Sequence, residues 1–226
     1  MAKKEYPDLK GNFRPKYSVA SNDFSGLKEK SVSVIKLILG VALLPLIYSS
    51  SVAFVYQMSQ IQKSCQNFFW LGALIFLIFF LFIWEPEIIY TGGHKLLEVI
   101  FSFFQPFVEV APYVVPIYTI IVFMVFGLLS LAIQDNWLLE YCMFLAGFSI
   151  IMHIVFTSRA LGSKKGDFLK ADYVFGFSLV YIIDVMLLAL LLSIVFKHFS
   201  FLSFSKSSFS AAGGIFHAVF KQIFVR

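Results

Sequence analysis

Three ionisable side chains sit in stretches that are otherwise apolar, and their chemistry would be the most consequential in the chain. Asp184 stands near the middle of FSLVYIIDVMLLALLLS. At 1.5 Å per helical residue it lies roughly 15 Å from either end of such a helix. An ionised Asp at that depth costs about 2.5–3.5 kcal/mol even on insertion scales, so it is protonated, paired or beside water. Two roles fit it: a proton or cation site, or a neutral carboxyl that glues neighbouring helices. His153 belongs to a run of Cys142, Ala146, Ser149, His153 and Thr157 at three- and four-residue steps, with Gly147 beside it. Small and polar residues on one face let membrane helices approach closely, so packing is favoured over titration or ligation for His153. Glu109 precedes Pro112 and Pro116 in FVEVAPYVVPIYT. Each proline removes a donor and frees a carbonyl, which predicts a kinked or locally unwound helix. Freed carbonyls beside a carboxylate can make a cation site, although a kink that only fits the neighbouring helices is the plainer reading. Glu109, His153 and Asp184 fall at increasing depth from one face, the order a half-channel would need.

A longer pattern leads into the same region. Thr91, Lys95, Glu98, Ser102, Gln105, Glu109, Pro112, Pro116 and Thr119 follow at alternating steps of four and three. On one continuous helix they would share a narrow face that meets water, a cavity or other protein. His94 and Glu98 are also four apart, but a metal site needs at least a third ligand, and the candidates His153 and Asp184 are on other helices. No HExxH, GxSxG, Walker loop or GxGxxG occurs. No enzyme activity, metal or cofactor is therefore expected.

The elements that must position these residues are membrane helices. The 226 residues are 59% hydrophobic and only 14% charged, against about 25% charged in soluble domains. The fold expected is an all-α integral membrane bundle. Five spans are long enough for the ~30 Å hydrocarbon core: about 34–57, 67–84, 107–133, 138–157 and 174–196. Pro45 with Ser49, Ser50 and Ser51 makes the first irregular. Trp70 and Trp84 anchor the second as an aromatic belt would. Residues 1–33 read as a flexible basic cytoplasmic tail and 34–200 as the polytopic membrane domain. Residues 88–105 read as an interfacial amphipathic helix, and 201–226 as a C-terminal amphipathic segment.

Net charge is +5, and eight of the 18 Lys and Arg lie in the first 36 residues. That cluster suits anionic lipid headgroups. No recognition fold for nucleic acid accompanies it. With the N-terminus cytoplasmic, thirteen Lys and Arg lie inside and five outside, which favours a multi-pass protein of the cell membrane with the C-terminus outside. Cys65 and Cys142 form no CxxC or zinc pattern, and two unpaired thiols are favoured over a disulfide. The function expected is a non-enzymatic membrane subunit that assembles with itself or a partner membrane protein. The alternative is a small proton or cation channel or carrier using Glu109, His153 and Asp184. A membrane-embedded metal-dependent hydrolase is the third reading.

Overall fold

The computed structural model describes residues 18–82, 87–100, 111–133, 135–162 and 171–224. The protein is all-helical over these residues. The helices are α1 Ser18–Met58, α2 Lys63–Phe82, α3 Glu87–Ile100, α4 Ala111–Val114, α5 Ile117–Leu129, α6 Asn136–Gly162, α7 Ala171–Val195 and α8 Phe201–Phe224. Among the described residues four stretches are long and apolar enough to cross a membrane: Lys30–Met58 within α1, and α2, α6 and α7. They correspond to four of the five expected spans. The helix of α1 starts at Ser18, inside the segment read as a flexible tail; residues 1–17 of that segment lie outside the described residues.

Local chemistry explains how α1 tolerates its irregular centre. Pro45 sits inside the helix and supplies no N–H for the ladder. The hydroxyls that follow are satisfied within the helix: Ser49 donates to the Pro45 carbonyl at 2.6 Å, and Ser51 to that of Ile47 at 2.8 Å. Back-bonded serines leave no bare polar group in an apolar setting.

The third expected span, 107–133, is not one helix. Residues 107–110 lie outside the described residues, and the remainder divides into α4 and α5. Between them the Ile117 N–H donates to the Val115 carbonyl at 2.8 Å across Pro116, whose φ and ψ are −76° and 73°. That is an inverse γ-turn. Pro116 has no N–H for the Pro112 carbonyl, so the helical ladder stops there and restarts one residue later. The 13 residues of α5 span about 20 Å, short of the hydrocarbon core.

Two glycines set the closest helix pair. A Cβ on Gly72 of α2 would lie 2.0 Å from the Phe144 carbonyl oxygen, and one on Gly147 of α6 would lie 2.0 Å from that of Phe69. The two backbones touch, and both positions exclude every side chain larger than hydrogen. Ser64 donates to Glu140 at one end of this pair, and Phe76 packs edge-on to Phe156 towards the other. Residue numbers rise together, so α2 and α6 run parallel. The helices α1 and α7 are parallel as well, pinned by Lys36–Asp172 at 2.5 Å, Gly40 against the Phe175 backbone, and Ser51–Tyr181 at 2.7 Å. By contrast α6 and α7 are antiparallel, with Ser158 bonded to Tyr173 and His153 beside Asp184.

The last helix, α8, begins beside the end of α1. Phe199 meets Phe54 edge-on with centroids 6.1 Å apart, and the Ser200 N–H donates to Gln57 Oε1 at 3.3 Å. Phe204, Ser208 and Ala212 form its buried face, one turn apart, and α1 is its most extensive partner. Because α1 stops at Met58, α8 keeps that contact by running back along it.

Candidate functional site

The face of α6 that carries His153 is buried as a unit: Cys142, Ala146, Gly147, Ser149, His153 and Thr157 all point inward. Three- and four-residue spacing puts them on one side of the helix, and the glycine contact with α2 draws that side into the bundle. On α7, Ser178, Asp184, Val185, Leu188 and Leu192 are likewise buried. The antiparallel α6–α7 pairing brings the two polar residues together. His153 Nε2 lies 3.5 Å from Asp184 Oδ1. Asp184 is 0% exposed, and neither of its carboxyl oxygens has a hydrogen-bond partner among the described residues.

The separation decides what the pair is doing. A charge-assisted N–H···O bond is about 2.7–2.9 Å long. At 3.5 Å the imidazole and carboxyl attract each other without sharing a well-made bond. A hydrogen-bonded structural clamp would satisfy the carboxyl, because an unmet buried acceptor costs about 1–3 kcal/mol. Among the described residues Asp184 makes no such clamp contact.

A second polar pair lies one helical turn away on α6. Thr119 Oγ1 of α5 and Ser149 Oγ are 2.9 Å apart and both buried. Ser149 also donates towards the Ala146 carbonyl at 3.2 Å. This contact explains how the short helix α5 is held against α6 despite its broken start.

The long polar pattern from Thr91 to Thr119 is divided among several elements. Thr91, Lys95 and Glu98 lie in α3, where Lys95 and Glu98 are exposed and Leu97 is buried. Pro112 lies in α4. Pro116 and Thr119 are buried at the turn and in α5. Ser102, Gln105 and Glu109 lie outside the described residues. The γ-turn at Pro116 ends the register that would have kept the nine on one face. Of the three ionisable candidates, His153 and Asp184 meet, while the place of Glu109 is not described.

Sequence reasoning passed over the partners that fix the helices. Lys36–Asp172, Ser51–Tyr181 and Ser64–Glu140 each join two helices, and only their placement near helix ends or beside small residues hinted at them. Cys65 and Cys142 are buried free thiols. Among the described residues no three His, Cys, Asp or Glu side chains converge as metal ligands would. Compared with known proteins, the chain matches no family model, no curated relative and no solved structure.

Proposed function

We propose that this protein is a non-enzymatic polytopic membrane subunit that assembles with itself or with a partner membrane protein. The observation that carries the reading is the three-sided character of α8. One side, Phe204, Ser208 and Ala212, is buried, with α1 as its main neighbour. A second presents Phe209, Phe216 and Phe220 outward, as lipid-facing residues would. The third is a run of Ser203, Ser207, Ser210, Gly214, His217 and Lys221 at four- and three-residue steps, every one exposed. Alongside the apolar stretch of α1, the middle of this third side, around Ser210 and Gly214, falls at bilayer depth. Small and hydroxylated faces in lipid pair with other helices, since close backbone packing and hydrogen bonding are what lipid tails cannot supply.

The same course of α8 bears on orientation. Lys and Arg in the early segments support a cytoplasmic N-terminus. A helix that returns along α1 supports a C-terminus on that same side, as the alternative to the outside position expected from five crossings. Fifteen of the 18 Lys and Arg then lie inside, and Lys63, Lys197 and Lys206 outside, a stronger bias than before.

The test is native mass spectrometry of tagged protein extracted gently from its own membrane. A defined complex, with copies of itself or with another polypeptide, is the expected result. Ser210→Leu combined with Gly214→Leu should dissociate it, and a wild-type protein that is monomeric throughout would refute the reading. A second reading, a small proton or cation channel or carrier, draws its support from the 3.5 Å approach of His153 to Asp184.

A further inference from the structure

We propose that Asp184 and His153 form a reversible proton-binding site at the α6–α7 interface, which the subunit reading neither requires nor predicts. Asp184 is fully buried with both carboxyl oxygens free of hydrogen bonds among the described residues, and the His153 ring nitrogen stands 3.5 Å from one of them. A bare carboxylate in that place would cost several kcal/mol. The site therefore has two tolerable forms. In one, the proton is on Asp184 Oδ1 and both groups are neutral. In the other, the Oδ1–H bond has broken, an Nε2–H bond has formed on His153, and carboxylate faces imidazolium. The pair is uncharged in both forms. Passing between them needs the two atoms to close by about 0.7 Å, to the length of a charge-assisted bond. Release of the imidazolium proton to water leaves the pair with one negative charge, the costly form reached only as pH rises, and uptake restores the neutral pair.

Among the described residues the donor set suits a proton and is too small for a metal ion. One carboxyl and one imidazole converge, while the nearby hydroxyls of Thr119 and Ser149 are bonded to each other. Among the described residues few other groups compete for the proton. From α1, Lys36 faces Asp172 of α7, about 18 Å along the helix from Asp184, and Ser51 engages Tyr181. The titratable side chain of α4 is Tyr113. The buried faces of α5 and α8, Thr119 with Phe123 and Phe204 with Ser208 and Ala212, bring none. His153 is thus the ionisable group that α6 brings to Asp184.

Infrared spectroscopy of the full chain in liposomes tests this. The absorption of a protonated carboxyl is followed from about pH 5 to about pH 9, and is assigned by its loss in Asp184→Asn and its displacement in Asp184→Glu. The Glu variant retains an acid and keeps the assignment possible if the Asn variant does not fold. The expected result is a band that disappears and returns reversibly, with a midpoint that moves by about one pH unit or more in His153→Gln. A band present throughout, a band absent throughout, or a midpoint indifferent to His153→Gln would each overturn the proposal. Oligomeric state is read separately by mass, so failure here leaves the subunit reading standing.

Discussion

At the scale of single residues, the buried hydroxyls and the buried carboxyl differ in how they are satisfied. Thr119 and Ser149 make a short, closed contact, whereas Asp184 has an ionisable neighbour and no hydrogen bond among the described residues. Their mutational signatures should differ accordingly. A double-mutant cycle on Thr119→Val and Ser149→Ala, read by unfolding in mild detergent, should give a coupling of about 0.6 kcal/mol and not above roughly 1.7 kcal/mol. The value is modest because helices separated in a membrane still find other partners. A coupling near zero would mean that the hydroxyls do not hold α5 to α6. Asp184 and His153 stood out from sequence because ionisable groups are costly in apolar segments. Their meeting could not be read there, since periodicity assigns a residue to a face of its own helix and is silent on which helix that face meets.

Among elements, the glycine contact between α2 and α6 is the most demanding. Gly72→Ala or Gly147→Ala forces a methyl carbon against a backbone carbonyl, and a backbone cannot swing aside as a side chain can. Each substitution should destabilise the protein by about 2 kcal/mol or more, in the upper range of overpacking. Gly127→Ala is the control, because a Cβ there meets nothing within 4 Å. Equal loss at all three sites, measured by thermal unfolding, would refute the close approach. The four long spans were legible because each is a continuous apolar window, and the inward face of α6 because its small and polar residues keep helical spacing. The division of the third span was only half legible. Pro112 and Pro116 announced an irregularity, but the γ-turn that turns Thr119 into the bundle and leaves Lys95 and Glu98 outside depends on where the chain packs. For α8, serines and lysines lower the average hydropathy to that of a surface helix, and its burial beside α1 leaves no trace in composition.

For the whole molecule, the paired directions of the helices constrain the path of the chain. Parallel packing of α2 and α6 requires the chain between Phe82 and Asn136 to return to the side from which α2 began. The course of α8 then predicts that both termini share one side. With single cysteines introduced in a Cys65→Ser, Cys142→Ser background, Lys206→Cys should react with an impermeant thiol reagent on intact cells. Arg226→Cys should react only once the membrane is opened. Labelling of Arg226→Cys on intact cells would instead place the C-terminus outside.

The parallel pairs also fix a timetable for assembly. Gly72 and Gly147 are about 75 residues apart, and Gly40 and Phe175 about 135. At some 5–20 residues per second of synthesis, α2 waits about 4–15 s for its partner and α1 about 7–27 s. During that interval the side-chain-free backbone patch of α2 faces lipid or whatever helix lies nearest. The early helices are therefore made before the helices that form their closest backbone contacts, and they are the natural point for an insertion factor or a second subunit to take hold.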